Sequence, residues 1–149
     1  MIPDRPEYQS ELFKKGLEVR RDVLGGDYVD GSLTRADDFN AAFQQITTEV
    51  AWGMIWTRPG LSRKTRSMIN LTMLAALNRG SEFRLHLRAA LTNGVTRDEI
   101  QEILLQVAVY AGVPVANRAF PIAQRALAEA AEAAGTAEAA GTAEDPEAS

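Results

Sequence analysis

Groups able to move protons or attack substrates are scarce in this sequence: its 149 residues hold one His and no Cys. Without thiols there is no disulfide framework, no Cys-ligated metal, no dithiol redox pair and no Cys nucleophile. A single His also excludes the multi-histidine sites of most transition-metal enzymes, and no acidic cluster has the spacing of a Mg²⁺ or Ca²⁺ site, so no metal is expected. The one His is His86, within Gly80-Ser81-Glu82-Phe83-Arg84-Leu85-His86-Leu87-Arg88. Glu82 and His86 are four apart, one turn along the same helix face, where a carboxylate can orient the imidazole, fix its tautomer and raise its pKa. Such a pair can deliver a proton near neutral pH. Arg79 lies one turn before Glu82, and Asn93 about two turns after His86. The same spacing also arises from an incidental Glu–His pair on a solvated helix face.

A second cluster is Trp52-Gly53-Met54-Ile55-Trp56-Thr57-Arg58-Pro59-Gly60-Leu61, which contains both Trp residues of the chain. Aromatic walls beside one Arg suit a flat anionic ligand. A Trp52–Trp56 core contact closing a helix hairpin explains the same spacing without a ligand.

The elements that must carry these residues read as helices. Apolar residues from Glu7 to Leu24 recur at helical spacing and stop at Gly25-Gly26, and a loop is expected from Asp27 to Leu33. Thr34 is the expected N-cap of a second helix running to Trp56, with Phe39, Phe43, Ile46 and Val50 on its buried face. Ser62 caps a third, which Gly80 ends; Ser81 starts a fourth, closed by Asn93-Gly94. Thr96-Arg97-Asp98-Glu99 is a capping box for a fifth helix to about Ala111, and a sixth follows Pro114, with Pro121 inside it, to about Ala133. No stretch reads as a strand. The expected fold is all-α, a single-domain bundle of about six helices over residues 1–133. Large apolar residues on all sides of Met68–Leu77 and Ile100–Tyr110 exceed what such a monomer can hide, which favours an oligomer.

The formal net charge of −4 is unevenly placed. Six of the 20 acids lie from Glu129 onward, where there is no Lys or Arg, so the first 128 residues carry 16 basic and 14 acidic groups. Residues 134–149, with the repeat Glu-Ala-Ala-Gly-Thr-Ala, read as a disordered acidic tail. Thirteen of the basic residues are Arg, which suits carboxylate recognition, but no basic run points to nucleic acid. No apolar run is long enough to span a membrane and the first residues lack a signal-peptide layout, so a cytoplasmic location is expected.

Four motifs occur in order: Trp52-Gly-x-x-Trp56-x-Arg58-Pro59-Gly60-Leu61, Glu82-x-x-x-His86-Leu87-Arg88-Ala89, Asn93-Gly94-Val95-Thr96-x-x-Glu99 and Tyr110-Ala111-Gly112-x-Pro114-x-x-Asn117. Together with Gly16-Leu17-Glu18-Val19-Arg20 and Val23-Leu24-Gly25, they closely resemble the 4-carboxymuconolactone decarboxylase family over about residues 12–128. The wider superfamily includes alkylhydroperoxidase D-type proteins with Cys-x-x-Cys-x-x-x-His. Registered on His86, those Cys positions hold Arg79 and Glu82, so thiol chemistry is closed to this chain.

The resemblance implies an alkylhydroperoxidase D-like helical fold and a homo-oligomer, trimer or hexamer. It also implies loss of CO₂ from 4-carboxymuconolactone to give 3-oxoadipate enol-lactone, in the protocatechuate branch of the β-ketoadipate pathway. The substrate is a small polycarboxylate lactone whose own unsaturated carbonyl accepts the electron pair, so no cofactor is expected. On this footing His86 is the proton donor and Glu82 its orienting partner. Arg58, with Arg79 or Arg66, binds carboxylates, and Trp52 and Trp56 form an apolar wall. Decarboxylation of another butenolide or related unsaturated acid is an alternative, as is a non-catalytic oligomer on the same scaffold.

Overall fold

The computed structural model describes residues 2–141, and side chains through residue 136. Described residues form seven α-helices and no strand. They are α1 (Glu11–Leu24), α2 (Gly26–Thr34), α3 (Ala41–Ile46), α4 (Arg63–Ala76), α5 (Gly80–Thr92), α6 (Arg97–Tyr110) and α7 (Val113–Gly141). A π-helical segment, Thr47–Ile55, continues α3, and a short 3₁₀ turn, Pro6–Tyr8, precedes α1. The chain divides into two compact units: Met1–Asn70 with Ala89–Val95, and Leu71–Arg88 with Thr96–Ser149.

In the first unit, Ser10 caps α1 by accepting from the Phe13 N–H at 2.9 Å. The α1 helix packs on the π-helical segment. Their approach is so close that a Cβ on Gly16 would stand 2.2 Å from the Thr48 carbonyl oxygen, and one on Gly53 2.7 Å from the Leu12 carbonyl oxygen. Beside this crossing Arg20 is buried and donates to Gln44 Oε1 at 3.0 Å and Thr48 Oγ1 at 2.9 Å. Loss of solvent lowers its pKa.

The expected loop from Asp27 to Leu33 is helix α2, and Thr34 is its last residue, not a cap. The stretch has turn composition, but Val29 and Leu33, one turn apart, are fully buried with Tyr8 and Phe13, whose rings stack at 4.7 Å. Tertiary burial overrides local propensity here. Asp37 then accepts from the Phe39 and Asn40 N–H groups, and α3 starts only at Ala41. The face expected to be buried faces outward: Phe39 is 96% exposed, and Phe43, Ile46 and Val50 are exposed with it, as is Met54.

In the second unit α4 ends at Ala76, and the residue that closes it is not Gly80 but Asn78, whose φ of 55° is the left-handed conformation that Asn tolerates best after Gly. The Arg79 N–H bonds back to the Leu74 carbonyl at 2.9 Å. Gly80 instead opens α5. The expected capping box is present: Thr96 Oγ1 accepts from Glu99 N–H at 3.2 Å, and Glu99 Oε2 from Thr96 N–H at 2.8 Å. Helices α6 and α7 pack together, with Ile100, Ile103, Leu104 and Val107 buried on one and Ala116, Ala119, Ala123 and Ala126 on the other. The alanine stripe lets the backbones approach. Helix α7 contains Pro121 and passes the expected end at Ala133, reaching Gly141. Ala and Glu are strong helix formers, and Thr136 Oγ1 bonds back to the Glu132 and Ala133 carbonyls. The rest of the expected tail, 142–149, lies outside the described residues. No described helix is long and apolar enough to cross a membrane.

Candidate active site

Helix α5 carries Glu82 exposed and His86 partly buried, both in the second unit. Burial pushes the His86 pKa below that of a free imidazole, and the Glu82 carboxylate raises it by less. The carboxylate acts in the expected direction, but desolvation of the imidazolium outweighs it, because Glu82 is exposed and its field is screened by water. The lowered pKa makes the imidazolium a stronger acid than free imidazolium, populated toward the acid side of neutrality.

Arg79, just before α5, is exposed and lines a cavity of about 180 Å³ in the same unit. Leu74, Phe83, Val115 and Ile122 give it an apolar lining, while Asn78, Arg79 and Arg118 supply polar groups. Phe83 lies three residues before His86, one helical turn away on a neighbouring row of α5. Arg118, from α7, was not among the residues singled out from the sequence. Its only local signal is a position one residue after the Tyr110–Asn117 motif.

The remaining expected site residues lie in the first unit. The Trp52 and Trp56 rings meet at 4.8 Å and 32°, packed with Val23 and Ala89. At 4% and 8% exposure they are core residues of this unit, the core contact that their spacing also allowed. Arg58 is exposed on the following turn. Arg66 donates from Nη2 to the Arg58 carbonyl at 3.0 Å, so part of its guanidinium holds that turn. Asn93 donates to the buried Ser67 hydroxyl at 3.0 Å, a structural link between α4 and the end of α5.

Two further arginines of α5 have a defined occupation. Arg84 and Arg88 both bind Glu129 of α7, the former at 2.6 Å, and hydrogen bonds from Arg88 and then Arg84 hold that carboxyl below its usual range. Among the described residues no group of three or more His, Cys, Asp or Glu could hold a metal.

A family model described as the carboxymuconolactone decarboxylase family matches residues 41–125. The 4-carboxymuconolactone decarboxylase of Acinetobacter baylyi is 47% identical over 114 residues, covering 76% of this chain and 85% of the relative. The nitrosuccinic acid decarboxylase npaB of Metarhizium robertsii is 42% identical over 121 residues, covering 81% and 85%. A shorter match, 40% over 45 residues, is to a 4-carboxymuconolactone decarboxylase of Pseudomonas putida, of which it covers 94%. An all-helical chain with its Glu–His pair on α5, matched by the family model across α3 to α7 and by two decarboxylases over most of its length, belongs to the carboxymuconolactone decarboxylase family.

Proposed function

We propose that this chain is a carboxy-lyase that converts 4-carboxymuconolactone to 3-oxoadipate enol-lactone and CO₂, in the cytoplasm and without a cofactor. The observation that carries the reading is the 47% identity, over 85% of its length, to a relative bearing that name. The chemistry is self-sufficient. The C–C bond to the departing carboxylate breaks, and its electron pair moves through the ring double bond into the lactone carbonyl, giving a furanolate. Protonation of the ring carbon alpha to that carbonyl restores the lactone. His86 donates this proton, and Glu82 orients the imidazole and favours its charged form. Arg79, Arg58 and Arg66 are the candidate carboxylate binders, and Trp52 and Trp56 the candidate apolar wall. Folded His86→Gln and Glu82→Gln variants test the assignment: turnover should fall by roughly 10²–10⁴-fold in the first. Near-normal rates in both would defeat it.

The nitrosuccinic acid decarboxylase supports a second reading, in which the electron pair enters a nitro group. Parallel assays on the lactone and on nitrosuccinate separate the two, and turnover of neither would leave another butenolide or related unsaturated acid as substrate, or a non-catalytic oligomer. Self-association as a trimer or hexamer belongs to the same proposal. Its support is the exposed apolar stripe of Phe39, Phe43, Ile46, Val50 and Met54, five large side chains a monomer leaves in water. Phe43→Glu should shift the mass measured by light scattering toward the monomer, and monomeric wild type at micromolar concentration would refute the stripe's role. Truncation after Ala133 should leave both turnover and the number of subunits per assembly intact.

A further inference from the structure

We infer that the cavity between α5 and α7 binds the carboxymethyl arm that the substrate keeps, with Arg79 and Arg118 holding its carboxylate; the inference rests on the decarboxylase reading. Two observations define the site. Its floor is apolar, with Phe83 and Ile122, and its volume of about 180 Å³ suits a compound smaller than the ligands that fill pockets of roughly 300–1,000 Å³. Its cations are uncommitted: neither Arg79 nor Arg118 has a carboxylate partner among the described residues, whereas Arg84 and Arg88 on the same α5 helix close on Glu129.

Chemistry selects which carboxylate such a pair can hold. 4-Carboxymuconolactone and nitrosuccinic acid differ in their electron sink, an unsaturated lactone in one and a nitro group in the other. They share a carbon that bears both the departing carboxylate and a –CH₂–COO⁻ arm. The departing group ends as neutral CO₂, so a guanidinium clamp on it stabilises the ground state and raises the barrier. The retained arm is an anion before, during and after the reaction. A clamp on it contributes equally to ground and transition states, anchoring the substrate without opposing bond cleavage. Phe83 then meets the apolar body of the ligand, and His86 follows one turn later along α5, about 4.5 Å in axial rise.

The test uses the full chain and succinate, which carries the arm and no electron sink. Arg118 is exposed, so Arg118→Gln should fold; circular dichroism checks this. In Arg118→Gln, KM for the lactone should rise roughly tenfold or more with kcat within about twofold, and the succinate dissociation constant measured by calorimetry should rise by a similar factor. Arg118→Lys should recover part of both effects. If the Arg79→Gln/Arg118→Gln variant keeps the wild-type KM and succinate affinity, the cavity assignment is overturned and the decarboxylase reading stands. If the wild type does not turn over the lactone, that reading falls, and calorimetry still decides whether the cavity takes a carboxylate.

Discussion

Gly16→Ala sets two physical effects of opposite sign against each other at the α1 crossing. Replacing Gly by Ala inside a helix favours folding by about 1 kcal/mol through propensity and unfolded-chain entropy. Against this, the new methyl would sit 2.2 Å from the Thr48 carbonyl oxygen and 2.8 Å from the Gly53 nitrogen. Both neighbours are backbone, so no rotamer change relieves the overlap and the helices must separate. Overpacking costs about 1–3 kcal/mol, with contact against backbone at the upper end, so the net is a destabilisation of about 2 kcal/mol. For a domain of this size that lowers Tm by roughly 6 °C. Gly26→Ala is the control: it is also helical, with nothing within 4 Å of the added carbon, and should raise Tm slightly. Thermal melts by circular dichroism at one protein concentration read both variants. Trp52, on the segment displaced, and Trp56, at its end, add a fluorescence signal that should change in Gly16→Ala and not in Gly26→Ala. Because Gly16 and Gly53 share the crossing, Gly16→Ala/Gly53→Ala should cost less than the sum of the single changes. A Gly16→Ala protein that melts at or above the wild-type temperature refutes the close approach.

Removing Glu82 takes away the charge that favours imidazolium while the burial that lowers the His86 pKa remains, so the alkaline limb of kcat should move to lower pH in Glu82→Gln; an alkaline shift would reverse the assigned electrostatics. Because the folded His86 pKa lies below its unfolded value, the unfolded chain binds more protons between the two. Stability therefore falls as pH drops through the unfolded value, and the fall should be shallower in His86→Gln when urea midpoints are compared across that range. Thr96→Ala removes the reciprocal cap of α6 and should cost about 1 kcal/mol in thermal or urea unfolding; an unchanged midpoint would mean the cap contributes nothing.

Caps were legible because they are local. Ser62, whose hydroxyl accepts from the Thr65 N–H, and the Thr96–Glu99 box each carry their geometry within four residues. The stripe of Phe39, Phe43, Ile46 and Val50 shows the limit of periodicity, which detects that a helix has an apolar face but not whether core or solvent meets it. Helix α2 was illegible for the converse reason: Gly, Asp and Ser suggest a turn, and only the distant Tyr8 and Phe13 make helix the better solution. At the site, the Glu82–His86 register could be read directly, since helix pitch sets it. The direction of the His86 pKa could not, because desolvation depends on residues far away in sequence. Arg118 was hidden likewise, since the rotation of α7 about its axis decides which of its side chains line the cavity.

Pro121 has a mechanical consequence for that cavity. It carries no amide hydrogen, so the α-helical bond from residue 121 to the Asn117 carbonyl cannot form. The missing rung falls between Arg118 and Ile122, both of which line the cavity wall. Bending stiffness along α7 is accordingly reduced beside this cavity. A few degrees of give at this joint would adjust the spacing across the cavity without remaking the helix on either side of it.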